Sequence, residues 1–172
     1  MRVADTIFER LKQEVDTVFF VPGGGCAPLV DALGQSGLRR VSCLHEQGAG
    51  FAAVGYAQHK GFGVCLVTSG PGATNAMTPC LAAWVDSVPV MFISGQVMTK
   101  WLAYDGMRCR GTQEGPTINM VRPITKKAYQ FIWTDEPIRE SILLEAAIGI
   151  AKEPRSGPVW LDVPMDVQAA NV

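Results

Sequence analysis

Leu44-His45-Glu46-Gln47-Gly48-Ala49-Gly50-Phe51-Ala52-Ala53 is the stretch on which the fold turns. Before it, Val41 to Leu44 reads as a short apolar strand. After it, small residues recur at helical spacing through Gly55 and Ala57. A carboxylate thus falls where a buried strand is expected to stop and a tightly packed helix to begin. In open α/β sheets ligands sit outside the carboxyl ends of the strands. Desolvation disfavours a charged carboxylate, so a glutamate in a dry pocket there suits proton transfer near neutral pH. The competing reading is a glutamate that only complements the dipole of the first helical turn.

Working outward, residues 3 to 13 place Val3, Ile7, Phe8 and Leu11 on one helical face. Val18 to Val21 reads as a strand closed by Pro22, and a helix follows from about Ala27 to Gln35. Further strands are expected at 63 to 68, 88 to 94, 128 to 132 and 159 to 163. Before the last of these, Asp135 is a candidate N-cap with Pro137 in the first helical turn. That helix is expected to turn Ile138, Ile142, Leu143 and Ala146 inward. Apolar strands alternating with helices predict an α/β fold, a three-layer α/β/α arrangement on a six-stranded, mainly parallel sheet. The longest irregular piece runs from about Val97 to Gly115, and connections of that length are usually functional or mobile.

The 172 residues fit one domain, 1–172, with a full core. The net charge is −1 and the only cationic pairs are Arg39-Arg40 and Lys126-Lys127, which is no nucleic-acid footprint. No apolar run has bilayer length, and Met1 to Asp5 opens into an amphipathic pattern without a secretory core. Cysteines 26, 43, 65, 80 and 109 form no C-x-x-C pair, so no metal site is expected and the cytoplasm is the expected location.

Two glycine clusters, Gly23-Gly24-Gly25 and Gly70-Pro71-Gly72, each follow a strand. The first lacks the third glycine of a dinucleotide fingerprint, and the second has Asn75 in that place. No Gly-Lys-Ser/Thr P-loop occurs either. Glycines at strand ends let a flat group approach the backbone. Cys26, at a helix start, is the candidate for an unrelated cysteine enzyme.

Read together, Val21-Pro22-Gly23-Gly24, His45-Glu46-Gln47-Gly48-Ala49, Thr68 to Asn75, Asp86-Ser87-Val88-Pro89, Gly95-Gln96-Val97 and Asp162-Val163-Pro164-Met165-Asp166 occur in one order. The chain resembles the N-terminal pyrimidine-binding domain of thiamine diphosphate-dependent enzymes, in the acetolactate synthase-like branch. The resemblance spans practically the whole chain and implies the thiamine diphosphate-binding fold. It implies that Glu46 meets the aminopyrimidine of the cofactor and helps it lose its C2 proton. Pro22, Gly23, Gly24, Pro71, Gly72 and Asn75 are implied to surround that ring, and Gln113 to lie near a 2-keto acid substrate. Thr112 stands where the acetolactate synthases carry phenylalanine, and Met98 to Gly111 is a few residues longer than in them.

The family holds the diphosphate through Mg²⁺ on a Gly-Asp motif, and this chain has no Gly-Asp pair. The expected partner is therefore a separate diphosphate-binding domain or subunit, within a homodimer or higher oligomer. Asp166-Val167-Gln168 falls where the family's middle domain would begin, so a domain of a longer polypeptide and one subunit of a split enzyme are both expected forms. The alternative is a non-catalytic assembly subunit that keeps the fold. His45 is not expected to act, because neighbours on a strand face opposite ways. Pro79 is expected to open a restarted helix capped by Thr78. Of the tryptophans, Trp84, Trp133 and Trp160 are expected to pack, and Trp101 to cover a site.

Overall fold

The computed structural model describes residues 1–103, 106–132 and 138–172. Six strands form one parallel sheet: β1 (Thr17–Phe20), β2 (Arg39–Ser42), β3 (Gly63–Val67), β4 (Val90–Gln96), β5 (Lys127–Gln130) and β6 (Val159–Pro164). Their order is β2-β1-β3-β4-β6-β5. The central strands β3, β4 and β6 are buried along their whole length, as expected for a parallel sheet covered on both faces. The edges β2 and β5 are largely exposed or half-buried.

Helices α1 (Val3–Leu11), α2 (Ala27–Gln35), α7 (Ile138–Lys152) and α8 (Met165–Ala169) cover one face. The other carries α3 (Glu46–Lys60), α4 (Pro71–Asn75), α5 (Met77–Val85) and α6 (Thr117–Val121). Strand alternation divides the core accordingly. Leu66, Ile93 and Leu161 pack toward α1 and α2, while Cys65, Phe92 and Trp160 pack toward α3 and α5.

The small residues of α3 have a packing cause. Ala49, Gly50, Ala53, Val54 and Ala57 are its buried face. A Cβ on Gly50 would lie 2.3 Å from Pro79 Cγ, and one on Gly63 would lie 2.2 Å from Ala53 O. The helix therefore lies directly against α5 and the start of β3. Pro79 needs no kink, because the chain breaks at Ala76 and the proline sits in the first turn of α5. Thr78 makes no cap there.

Other expectations shift. The second strand ends at Ser42, two residues early, and Leu44 is fully exposed at 105%. Arg39 and Arg40 belong to the strand because it is an edge. Among the described side chains of α7, Leu144, Ala147, Ile148 and Ala151 are buried, while Ile142 is 60% exposed. That helix is apolar on more than one face, so its sequence leaves the phase open. Trp84 is 40% exposed, whereas Trp160 is buried and stacks on Phe92 at 5.2 Å. Asp135, Pro137, Trp133 and the side chain of Ile138 lie outside the described residues.

Candidate functional site

The strand order reverses between β1 and β3: the chain leaves β1 toward β2 and later continues from β3 toward β4. A crevice forms at such a switch point, beyond the carboxyl ends of the strands. Both glycine clusters are there. Thr68, just after β3, is the post between them. A Cβ on Gly23 would stand 2.5 Å from Thr68 Cβ, and one on Gly72 would stand 2.7 Å from Thr68 Cγ2. The Gly25 amide donates to Thr68 Oγ1 at 3.1 Å. Thr68 is quoted within a motif above but without a role; a residue between two glycine turns is the signal that finds it.

Glu46 is the first residue of α3 and carries the negative charge of its first turn. Asn75, the last residue of α4, donates Nδ2 to Glu46 Oε2 at 2.9 Å. The other oxygen, Oε1, is turned toward Gly72, whose Cβ would lie 3.5 Å away. The structure thus gathers Glu46, Asn75 and Gly72, and ties Gly72 to Gly23 through Thr68. The carboxylate is half-buried, not walled in by apolar groups, because the strand before it is an edge and Leu44 points to solvent. His45 is the N-cap of α3 and not a strand residue. Its Nδ1 accepts the Gln47 amide at 3.1 Å, so the ring is occupied by the cap.

Pro22, Gly23 and Gly24 line a cavity of about 520 Å³ with Ala27, Val30 and Asp31. Gly24 also lines a second cavity of about 480 Å³, with Ser69, Trp101, Arg110 and Gln113 on its rim. Pro71 is exposed at the start of α4. Gln113 has φ +60° and its backbone lies on Gly70, where a Cβ would be 2.1 Å from Gln113 O. Glycine is required at 70, which itself has φ +53°. Gln113 is thereby brought to the second cavity, not to Glu46. Trp101 lines the same cavity, with the Arg110 guanidinium 5.9 Å from its ring centre. Arg108 is exposed. Cys26 is fully buried, its Sγ donates to Gly23 O, and burial pushes its thiol pKa up. A protonated core thiol is no nucleophile, which removes the cysteine reading.

One buried group lies outside these expectations. Asp162, at the centre of β6, accepts from Ser94 Oγ at 2.5 Å and from Gln96 Nε2 and Gln130 Nε2 at 3.1 Å each. A charged residue in a fully buried parallel strand must find such donors, and that rule is the signal that marks it in the sequence. Burial pushes its carboxyl from the usual 3.8 up to about 7, against the three hydrogen bonds, which lower it. The folded protein then keeps a proton that the unfolded chain releases near pH 4. Stability therefore falls as pH rises from about 4 to about 7 and is level above. Asp162→Asn should flatten that slope, worth up to roughly 4 kcal/mol, in urea unfolding across this range. A slope unchanged by the substitution would show another group to be responsible.

Among the described residues no three His, Cys, Asp or Glu side chains gather as metal ligands. Nor is any helix there long and apolar enough to cross a membrane. Residues 1–119 match the family model of the thiamine pyrophosphate enzyme N-terminal TPP binding domain. The chain is 40% identical over 160 residues to the acetolactate synthase isozyme 2 large subunit of Escherichia coli K12, covering 92% of this chain and 28% of that protein. It is 41% identical over 174 residues to a probable acetolactate synthase large subunit of Methanocaldococcus jannaschii, covering 100% and 28%. Against the acetolactate synthase large subunit of Corynebacterium glutamicum it is 42% identical over 175 residues, covering 100% and 27%. The chain thus spans little more than a quarter of the length of these relatives. With the parallel sheet and the crevice at its switch point, this similarity makes the chain a member of the thiamine pyrophosphate enzyme family, corresponding to its N-terminal TPP binding domain.

Proposed function

We propose that this chain supplies the pyrimidine-binding half of a thiamine diphosphate site, in an acetolactate synthase-like 2-keto acid decarboxylase or carboligase. The observation that carries the proposal is the Glu46–Asn75 pair at 2.9 Å beside Gly72. The residues suit the cofactor: a carboxyl with one oxygen held and the other open can hydrogen-bond a ring nitrogen, and Gly24, with open space where a Cβ would be, leaves backbone that a flat heterocycle can approach. Glu46 holds and passes the proton. Asn75 fixes the rotamer of its carboxyl, while Pro22, Gly23, Gly24, Pro71 and Gly72 form the walls. Gln113 faces the substrate end through the second cavity. Thiamine diphosphate, when bound, supplies a thiazolium that attacks the keto carbon and accepts the electrons released on decarboxylation.

The diphosphate and its Mg²⁺ are assigned to a separate domain or subunit, since the single-carboxylate equipment magnesium uses with phosphates is lacking in the Gly-Asp form the family employs. A second copy or partner has a fitting surface. Leu44, Phe51, Leu81, Trp84 and Val85, from α3 and α5 and the turn before α3, are all at least 40% exposed, and large apolar side chains left bare on two neighbouring helices are what a partner's surface would cover. Five free cysteines support a reducing compartment, the cytoplasm.

Exchange of the cofactor's C2 proton in the assembled protein, with and without the Glu46 carboxyl, tests the proposal and separates it from a non-catalytic assembly role. Asn75→Ala should lower that exchange about tenfold by freeing the carboxyl from its hydrogen bond to Asn75 Nδ2. Exchange equal to that of the unaltered protein would remove Asn75 from the site.

A further inference from the structure

Between β4 and α6 the chain makes a long excursion whose described residues include a short helical turn at Thr99–Trp101. Its return is fastened twice. The Glu114 carboxylate accepts from the amides of Ala103, Arg110 and Gly111, drawing the excursion into a closed loop. The second fastening begins inside the sheet. Gln96, the last residue of β4, is fully buried. Its Oε1 accepts the Val97 amide at 2.9 Å, which leaves Nε2 to face inward and across. One Nε2 hydrogen goes to Asp162 Oδ2 and the other to Gly115 O, each at 3.1 Å. Asp162 is in turn held by Gln130 and by Ser94, whose Oγ also accepts Trp160 Nε1 at 2.8 Å.

We propose that Asp162 is a positioning residue: by orienting the Gln96 amide it holds the backbone at Gly115, and so keeps Gln113 seated on Gly70 at the rim of the cavity shared with Gly24, Ser69 and Trp101. Asp162 Oδ2 accepts one Gln96 hydrogen and thereby aims the other at Gly115 O. The side chain touches no substrate. Its effect reaches the cavity through one amide and one carbonyl. The consequence for catalysis rests on the thiamine-site reading, but the effect on the loop does not.

The test is amide hydrogen exchange of the full chain without cofactor. Asp162→Leu removes the acceptor at Oδ2, and Gln96→Met removes the link while leaving Asp162 two donors. Each should speed exchange at Gly111 and Thr117 about tenfold, the scale for one lost hydrogen bond, with β3 and β6 amides unchanged. The two together should do no more than either alone, because they cut one path. Gln130→Met, which spares Gln96, should leave the loop as it was. Loop exchange within twofold of the unaltered chain in Gln96→Met, or equal acceleration across the sheet in all three variants, would overturn the proposal. In the assembled protein, Asp162→Leu should raise KM for the 2-keto acid while C2-proton exchange stays level, since Glu46 does not lean on this network. A fall in C2-proton exchange with KM unchanged would also overturn it, and that result leaves the role of Glu46 standing.

Discussion

Glu46→Gln in the assembled protein should lower C2-proton exchange of bound thiamine diphosphate by two or more powers of ten, about the scale of general acid–base catalysis. The substitution is nearly isosteric. Its Oε1 can still accept from Asn75 Nδ2, as Glu46 Oε2 does at 2.9 Å, so the α3–α4 junction should be undisturbed. What disappears is an acid that can give up its proton. Glu46 is part of no salt bridge among the described residues, and the fold loses little when its charge is removed. Thermal unfolding and assembly should match the unaltered protein, which separates loss of chemistry from loss of structure. Exchange at the normal rate in the glutamine variant would end the proposed role, and the domain would then serve assembly alone.

The second large effect is structural. Gly95→Ala should destabilise the fold by about 3 kcal/mol, the upper end of overpacking costs. A Cβ at 95 would lie 2.0 Å from Gly25 O and 2.7 Å from Cys26 N. Both obstacles are backbone, so no side chain can swing aside. The Gly25 segment is held on two further sides, by Thr68 Oγ1 on its amide and by Gln168 Nε2 on its carbonyl at 2.7 Å. Relief therefore means shifting the turn that carries Gly23 and Gly24, and cofactor binding should weaken together with stability. Gly149→Ala, in an exposed helical position with nothing within 4 Å, should instead stabilise by up to about 1 kcal/mol. Urea unfolding of the pair checks both signs; a neutral Gly95→Ala would show that the turn yields.

Much of this architecture is legible from local pattern. β3, β4 and β6 are mostly apolar because both faces are covered, with Ser94, Gln96 and Asp162 as the buried polar exceptions, and the glycines after β1 and β3 mark the two turns of the crevice. Edges are harder. Arg39 and Arg40 lie in a strand whose side chains meet water, so hydropathy placed β2 too late and made Glu46 look drier than it is. Pairings through space are harder still. Nothing in local spacing joins Asn75 to Glu46, 29 positions away, or Gln96 to Asp162, 66 positions away. Family resemblance supplied the first pair's neighbourhood; the second went unread, although a charge in a buried strand needs donors and so marks itself for a search.

Leu44 lies bare two positions before a carboxyl that is itself only half covered. If the missing cover comes from another chain, catalytic output obeys mass action: specific activity should climb with protein concentration and plateau once the complex saturates. Dilution would then switch the catalyst off with no chemical change to any residue.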